Sequence, residues 1–593
     1  MAERMKRYFV EHYFVLILAF FLTIMILMPV ILYPFISGES YQGINIAHFG
    51  TDAHFYLTRM KDAMDGHSSG NSVLREGKDQ QDNFFTYNEQ ILAAPLRMLG
   101  IQNHINVVTV YHVYNFIGVF FLILLIYSLV FRISHEKLLA AVVAIFVVGG
   151  YHIVYNKRLF YSDFNMYGRT MFPYISSLAF FAYLNFLVAA LQIKRWARAI
   201  CAGLLFGFLF YVYFFAWTFV LALNGALFLL YFLKRDGERF STIAIVSGIG
   251  LLVGLYNLFR MAIFFSSDAG AQASYFHWSL HSRAPIFSKI GAAALALWAL
   301  FFYKRKQDPN GLLILGFIMA GWVALNQQIV TGQALQIGHY YWYFIVPISI
   351  IVGFYMLWRL FENEFLRKTA CVVILLVVFF HSGVGQYRSL LETVDVKHYE
   401  QLYRPIINVL AADFDQKVIL AADDPRAYLF TIYTSHDLFW HHAATQTNTS
   451  LSRFKDALFV YMYLNTKSRS DFSGYIHAFM TGGENGSFYK NIYMNIEGFK
   501  SGLDYYEYDR ALTLNDPVLD EKRQNLIGEL SREYNFIADQ KDGIVNILKK
   551  YDVQYIAWDR NQYPEWDLSF LDEAKKIMVS SNIILYRLNF SSR

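Results

Sequence analysis

The sequence is poor in the residues on which soluble, disulfide-stabilised proteins depend. It has only two cysteines in 593 residues, Cys201 and Cys371, and both lie inside long apolar runs, so no disulfide framework is predicted. Charged residues make up 16% of the chain, against about 25% in an average soluble protein. The net charge of +5 is small for this length and gives no support for a nucleic-acid partner. This composition favours a membrane protein.

Long apolar segments recur as far as about residue 390 and then stop. The run 198–233 is too long for one crossing, so we predict two short helices that divide near Tyr213–Trp217. The N-terminus has a basic start and no small-residue cleavage site, which predicts a retained signal anchor. We predict about eleven membrane spans, at 14–37, 106–131, 138–155, 171–193, 198–214, 216–233, 240–265, 286–303, 311–330, 341–359 and 369–389.

Basic residues in the short loops predict the orientation. With eleven spans, every cluster falls on the side of the N-terminal Arg4, Lys6 and Arg7, which the positive-inside rule makes the cytoplasm. The clusters are Arg132/Lys137, Lys194/Arg195/Arg198, Lys234/Arg235/Arg239, Lys304/Arg305/Lys306 and Arg359/Arg367/Lys368. The opposite face then holds the loops 38–105, 156–170, 267–285 and 331–340 and the C-terminal region. We predict a protein of the plasma membrane, the inner membrane of a bacterium, with an external or periplasmic C-terminal domain.

Beyond residue 390 the composition becomes that of a soluble domain. Three short apolar segments predict buried strands, KVILAAD (417–423), VQYIAW (553–558) and NIILYRL (582–588). The segments 520–535 and 569–578 are predicted to be helices. We therefore predict a polytopic α-helical membrane module over 1–390 with a long external loop at 38–105, followed by an external α/β domain over 391–593.

Polar chemistry is concentrated at the external ends of the spans, where ionisable groups usually face a cavity or a partner. The first external loop contains TDAHFYLTRMKDAMDGH, Thr51 to His67, which is predicted to form a helix with Asp52, Tyr56 and Arg59 on one face. Structural explanations exist for the same residues: Thr51 or Asp52 can cap the helix, and the helix can lie flat on the membrane surface. Neither prevents Asp52 from facing an active site.

An acidic residue after the first span, followed by an aromatic-rich helix, resembles the first external loop of GT-C glycosyltransferases. Asp52, Phe55 and Arg59 partly follow the D-x-x-F-x-Y-R pattern of oligosaccharyltransferase catalytic subunits, and Asp52 with Tyr56 matches aminoarabinose and protein mannosyl transferases. The resemblance implies transfer of a sugar from a polyprenyl-phosphate carrier at the external leaflet. The WWDYG signature of oligosaccharyltransferases is absent, and its nearest counterpart is ADDPRAYLFTIYTSHD (422–437).

Later external loops extend this resemblance. RLFYSDFNMYGR (158–169) is similar to the second external loop of oligosaccharyltransferases, and TGQALQIGHYYWY (331–343) resembles late GT-C loops that contact the carrier phosphate. By this resemblance Asp52 and Asp163 are the candidate catalytic residues, and they are also the candidate ligands of a divalent cation such as Mg²⁺ or Mn²⁺. The candidate substrate and carrier-phosphate residues are His54, Arg158, Asn165, Arg169, Arg283, His339 and Tyr340.

The implied reaction needs a carboxylate as general base or acceptor-orienting group and positive charge for the departing phosphate. The partners implied are a polyprenyl-phosphate-linked sugar donor, the lipid bilayer, and a glycan, lipid or protein acceptor. In the soluble domain, Trp440–His441–His442 is a further candidate for binding an acceptor sugar, with a surface or packing role as the favoured alternative.

Two other functions remain open from the sequence. A transporter or flippase should carry charged or glycine- and proline-interrupted spans near the bilayer midplane, whereas the ionisable residues here lie at external span ends. A non-catalytic GT-C-like component of an envelope assembly complex would have the same layout without activity, and only an assay separates it from an enzyme.

Overall fold

The structure is a computed structural model of the chain. It describes residues 2–46, 51–68, 70–80, 83–169, 173–193, 195–267, 279–447, 449–480, 488–503, 507, 510–511 and 514–590. Within these ranges the chain is mostly helical up to about residue 411, and a small sheet follows. The predicted class, a helical membrane protein with a C-terminal α/β part, is confirmed.

Eight helices in the described ranges are long and apolar enough to cross a membrane. These are Glu11–Ser40, Val107–Ser134, Tyr174–Gln192, Phe214–Lys234, Gly237–Phe265, Gly311–Thr331, Gly338–Leu360 and Glu364–Gln401. Three shorter helices, Lys137–Gly149, Trp196–Val212 and Lys289–Lys304, occupy the other segments that the sequence predicts as spans. Each of the predicted apolar segments thus contains a helix, and crossing by all eleven stays a prediction.

The predicted division of the long run 198–233 is confirmed at Tyr213. The helix Trp196–Val212 ends there and Phe214–Lys234 begins immediately after it. Tyr213 itself is extended, with φ −163° and ψ 124°, which turns the chain between the two helices. Its side chain is thereby placed where two helix ends meet rather than inside one span.

The loops form two groups of contacts at opposite ends of the helices. At the basic ends, the Gln192 side chain donates to the Arg132 carbonyl at 3.0 Å, and Arg359 pairs with Asp308 at 3.0 Å. At the other ends, two three-residue strands pair antiparallel: β1, Ser279–His281, and β2, Gln333–Leu335. Loops that the sequence assigns to one face therefore contact one another.

The C-terminal sheet has five strands in the order β4-β3-β5-β7-β6. Parallel pairing joins β3 (Val418–Ala421) to both β4 (Asp437–Leu438) and β5 (Val553–Asp559), while β7 (Ile583–Leu588) runs antiparallel between β5 and β6 (Ala574–Ser580). The helices around it are Arg404–Ala411, Tyr428–Tyr433, Leu451–Leu464, Thr466–Ser470, Phe472–Met480, Phe488–Ser501, Pro517–Ala538 and Gly543–Lys550. The three strands predicted from the sequence and the helix predicted at 520–535 are confirmed.

The helix predicted at 569–578 is wrong. Residues Ala574–Ser580 form β6, an edge strand that pairs with β7 in register Ala574↔Leu588 to Ser580↔Ile583. Its lysines, Lys575 and Lys576, are exposed, as is common in edge strands because charge there prevents pairing with other chains. An edge strand needs no continuous apolar face, so the pattern of apolar residues in 569–578 did not indicate a strand. The pairing of this segment with β7 determines that it is one.

The long first loop contains two helices, Thr51–Asp65 and Asn88–Met98, and docks on the C-terminal sheet. The amide of Leu438 in β4 donates to the Val73 carbonyl at 2.8 Å. Lys78, buried between the two parts, pairs with Asp62 at 2.8 Å and with Asp437 at 2.9 Å. These contacts hold the helix Thr51–Asp65, called the loop-one helix below, against the C-terminal sheet.

Lys78→Met is expected to lower the free energy of unfolding by about 3 kcal/mol, because it leaves two buried carboxylates without their shared cation. Denaturant unfolding of the purified protein in detergent measures this. Lys61→Met is the matched control, because Lys61 pairs with Asp65 on the helix that also carries Asp62. This pair is partly exposed, so its loss should lower the free energy of unfolding by under about 0.5 kcal/mol. Equal losses in the two variants would contradict the docking role of Lys78.

Candidate functional site

The loop-one helix begins at Thr51 and carries Asp52 in its first turn. The Asp52 side chain is 67% exposed and forms an ion pair with the guanidinium of Arg169, whose side chain is 28% exposed. Asp52 comes from the first long loop and Arg169 from the loop 156–170, so the fold joins two candidates that lie 117 positions apart. A carboxylate and a guanidinium thus meet at a position that solvent can reach.

The second loop is held rigidly where it supplies Arg169. Asn165 is buried and caps the short helix Met166–Gly168, its Oδ1 accepting from the Tyr167 amide at 2.9 Å. Its Nδ2 donates to the Val148 carbonyl at 2.8 Å. Both ends of the Asn165 side chain are therefore used, one within the loop and one on the preceding helix Lys137–Gly149, and its role in binding substrate stays a prediction.

Aromatic side chains surround the far side of Arg169. Its Nη1 donates to the Tyr343 hydroxyl at 3.1 Å. The Tyr343 ring lies 5.4 Å from that of His339 and 5.9 Å from that of Tyr213, and the Tyr213 hydroxyl bonds to His339 Nδ1. Tyr343 lies in a π-helical segment, Tyr341–Ile345, an irregularity that is frequent at functional sites.

Tyr56, one turn beyond Asp52, completes this group. Burial together with the charge of Asp52 raises the pKa of Tyr56, with Arg169 and Arg59 opposing the rise. The phenol consequently stays protonated and able to donate. Asp52, Arg169, Tyr343, Tyr213 and His339, with Tyr56 beside them, are called the Asp52 site below.

Other predicted residues lie in different surroundings. His54 is buried, with Nε2 3.6 Å from Glu400 Oε1, and its ring stacks on Tyr428 at 6.1 Å. Arg158 and Asp163 are both exposed in the second loop, where the Asp163 carbonyl accepts from the Gln386 side chain at 3.0 Å. Their roles in binding substrate or catalysis stay predictions.

Two more predicted residues are used locally. Arg283 Nη1 donates to the carbonyls of Ile329 and Val330 at 2.8 and 2.9 Å and lies against Gly332. Tyr340 is buried, and its hydroxyl is 2.7 Å from Thr218 Oγ1. Tyr340 thus bonds to Thr218, whereas Tyr343 is the tyrosine of this segment that contacts Arg169.

A metal ion needs several ligand atoms close together. In the described part of the chain one group of three such side chains brings its ligand atoms within 4.8 Å of one another, namely Asp423, His441 and His442. The Asp52 carboxylate, which a cation would need as a ligand, is in an ion pair with Arg169. A divalent cation held by Asp52 and Asp163 therefore stays a prediction, and no step below depends on it.

The arrangement supplies the two functions that a transfer to or from a phosphate carrier requires. Asp52 is a reachable carboxylate that can hold a nucleophile, and Arg169 is a fork of donors suited to phosphate oxygens. Tyr343 and Tyr213 were not singled out from the sequence. The helix break at Tyr213 was the signal available for one of them; for Tyr343 the sequence offers one tyrosine among many.

No family model and no curated protein matches this chain. Among solved structures, the oligosaccharyltransferase of Archaeoglobus fulgidus is similar over 93% of this chain and 70% of that one, with 11% identity and TM-scores of 0.44 with a tethered acceptor peptide and 0.45 in the apo form. ArnT of Cupriavidus metallidurans bound to undecaprenyl phosphate is similar over 70% of this chain and 85% of that one, with 11% identity and a TM-score of 0.43. The chain thus has distant structural similarity to an oligosaccharyltransferase and to ArnT.

Proposed function

We propose that this chain is an integral membrane glycosyltransferase that moves a sugar from a polyprenyl-phosphate-linked donor to a glycan, lipid or protein acceptor on the external face. The observation that carries the proposal is the Asp52–Arg169 pair at the Asp52 site. It places a carboxylate for the acceptor beside a cation for the leaving phosphate. The exposure of Asp52 provides access for both substrates.

In the proposed reaction, Arg169 binds the phosphate of the carrier, and Asp52 orients the acceptor group that attacks the sugar and takes its proton as general base. The bond between the anomeric carbon and the phosphate oxygen breaks as the new bond to the acceptor forms, which inverts the anomeric carbon. Negative charge grows on the departing phosphate, so the Arg169 donors act most strongly in the transition state. Tyr343 fixes the direction of Arg169 through its hydroxyl.

The same contacts, together with the loop charges, support a location for each part of the chain. The first loop, the second loop and the C-terminal domain meet, because Asp52 contacts Arg169 and Lys78 contacts Asp437. Loops that touch lie on one side of a membrane, and the basic loops lie at the other helix ends. This supports a cytoplasmic N-terminus, an external or periplasmic C-terminal domain over 391–593 and a membrane module over 1–390.

The proposal is tested in cells that lack the gene. Restoring the wild-type chain should restore one class of glycosylated envelope molecule in mass spectra, and Asp52→Asn, present at equal level in the membrane, should not. The unreacted lipid-linked sugar should accumulate on the external leaflet, where a membrane-impermeant oxidant modifies it. Accumulation on the cytoplasmic leaflet would instead identify a flippase, and full complementation by Asp52→Asn would show a non-catalytic role.

A further inference from the structure

One helix contacts both of the loops that supply the Asp52–Arg169 pair. The helix Glu364–Gln401, called the long helix below, has 38 residues and is therefore about 57 Å long at 1.5 Å per residue. The hydrocarbon core of a bilayer is about 30 Å thick, so about half of this helix lies outside it. Near its C-terminal end Tyr399 donates to the Asp559 carboxylate of the C-terminal sheet at 2.8 Å.

Gln386, on the long helix, holds the backbone of the second loop. Its side chain is buried, its Oε1 accepts from the Asn165 amide at 3.1 Å, and its Nε2 donates to the Asp163 carbonyl at 3.0 Å. Both halves of the side-chain amide are therefore used on one stretch of backbone. Gly385 lets the loop come this close, because a Cβ at that position would lie 3.0 Å from the Tyr161 carbonyl oxygen.

A tight turn connects this contact to Arg169. The Asn165 carbonyl accepts from the Gly168 amide at 2.9 Å, which closes the turn directly before Arg169. The amide of the first residue of this turn is the group that Gln386 binds. The guanidinium that follows the turn is the one that pairs with Asp52. The backbone position of Arg169 therefore depends on a side chain of the long helix.

Gln401, at the end of the long helix, holds the first loop in the same way. Its side chain is buried, its Oε1 accepts from the Gln42 and Ile44 amides at 2.9 and 3.2 Å, and its Nε2 donates to the Ile44 carbonyl at 2.8 Å. The adjacent Glu400 has its Oε1 3.6 Å from Nε2 of His54 on the loop-one helix. The long helix thus contacts the loop-one helix and the chain that leads to it.

We propose that Gln386 and Gln401 are positioning residues for sugar transfer, and that the long helix sets Arg169 against Asp52. The inference rests on the proposed function. The two glutamines are about four turns apart, or about 22 Å along the helix axis. Because one continuous helix carries both, it fixes the two loops relative to each other independently of their own ion pair.

The Asp52–Arg169 pair needs such support because it is a weak link between the loops. The Asp52 side chain is 67% exposed, and an exposed ion pair contributes under about 1 kcal/mol. In the proposed reaction the carrier phosphate and the acceptor also take over part of the contacts between the two side chains. A displacement of about 1 Å at a reacting centre can cost about a hundredfold in rate. Buried amide bonds to the backbone hold the loops in place throughout transfer.

Substitution of either glutamine tests the inference in the full chain in detergent, with a short-chain polyprenyl-phosphate hexose as donor and delipidated envelope extract as acceptor. Gln386→Met keeps the length of the side chain and removes both hydrogen bonds. It is expected to lower kcat about thirtyfold and to leave KM for the donor within about threefold of wild type, because Arg169 is displaced rather than removed. Gln401→Met should have the same effect.

Asn185→Leu is the matched control. The Asn185 amide is also buried and donates to the Leu125 carbonyl at 2.9 Å, but it joins two membrane helices and neither loop. This variant should keep the wild-type kcat. An equal loss of kcat in Asn185→Leu would show that any buried amide bond has this effect and would overturn the inference.

Double-mutant cycles separate positioning from a general loss of structure. If Gln386 acts through Arg169, adding Gln386→Met to Arg169→Gln should change the rate by under about twofold. Gln401→Met should likewise change the rate of Asp52→Asn by under about twofold. A further loss of about thirtyfold on each background would mean that the glutamines act by another route, which overturns the inference.

The distance between the loops tests the same inference without an assay of transfer. Nitroxide labels at Asp65→Cys and Asp163→Cys report on the loop-one helix and the second loop, with both native cysteines replaced by alanine and the chain in lipid nanodiscs. Double electron–electron resonance should give one narrow distance distribution that broadens in either glutamine variant and stays narrow in Asn185→Leu.

The outcomes distinguish the inference from the proposed function. Distributions that stay narrow in both glutamine variants overturn the inference alone, as does wild-type kcat in both of them. Wild-type rates in Asp52→Asn would instead overturn the proposed function, and the role of the glutamines in transfer with it.

Discussion

Asp52→Asn is expected to lower the rate of sugar transfer by about a thousandfold while the protein stays folded. Asn keeps the shape of the side chain but loses the negative charge that holds the acceptor and balances Arg169. Losses of about 10²–10⁴ are typical when such a group is removed from the reacting centre. Because Asp52 is largely exposed and Arg169 keeps its hydrogen bond to the Tyr343 hydroxyl, the substitution should change stability little. Initial rates with a labelled donor measure the loss.

Asp65→Asn is the control for this experiment. Asp65 is on the same helix as Asp52 and is partly exposed. It pairs with Lys61, one turn earlier, on the solvent-exposed face of that helix. Its removal should leave the rate within about twofold of wild type, since surface pairs of this kind contribute little. A similar loss in both variants would mean that the whole helix, rather than Asp52, is needed.

Arg169→Gln is expected to lower kcat by about a thousandfold, and Arg169→Lys to recover only part of the loss. The guanidinium donates to both Asp52 and Tyr343. Its remaining N–H groups would donate to the oxygens of the departing phosphate. Lys restores the charge but not the planar fork, so it can satisfy fewer of these partners. Removing a donor that stabilises developing charge typically costs 10²–10³ or more in kcat.

Arg97→Gln provides the comparison for arginine loss. Arg97 is exposed in the first loop and lies beside Gly66, past the end of the loop-one helix that is opposite to Asp52. It should retain wild-type kcat and donor affinity. If Arg169→Lys were fully active, a simple positive charge would suffice, and the bidentate role assigned to Arg169 would be wrong.

The fold was largely predictable because hydrophobic length sets the helices. Apolar runs located the eight long apolar helices and the three shorter ones, and the break at Tyr213 followed from a run that exceeds one bilayer thickness. The strands β3, β5 and β7 were predicted from short apolar runs. The strand β6 was not, because an edge strand rich in lysine carries no buried face and is specified by its partner β7.

Asp52, Arg169 and His339 were predictable from the sequence as site residues, but Tyr213, Tyr343 and the pairings within the site were not. Asp52 and Arg169 were both named from the sequence, yet their contact depends on how two loops 117 positions apart meet. Asn165 was expected at the substrate, and its side chain bonds to Tyr167 in its own loop and to Val148 on the preceding helix. The sequence shows which residue types lie near the end of a predicted span. The direction of each side chain depends on the conformation of the loop, which the sequence pattern does not predict.

The surroundings of His442 could also not be predicted from the sequence. Trp440–His441–His442 has no distinctive spacing, and packing was the favoured explanation. Packing does account for Trp440, which is buried against Phe454. Only the alignment of β3 and β4 places Asp423 beside His442 and gives that histidine its orientation.

The central claim is that the Asp52–Arg169 pair is where the carrier phosphate reacts. The most direct measurement is an experimental structure of the chain in a lipid nanodisc with a non-hydrolysable polyprenyl-phosphate sugar. We expect the phosphate within hydrogen-bond distance of the Arg169 guanidinium, with the anomeric carbon on the side of Asp52. A phosphate bound elsewhere, with Asp52 and Arg169 still paired and without a ligand, would contradict it.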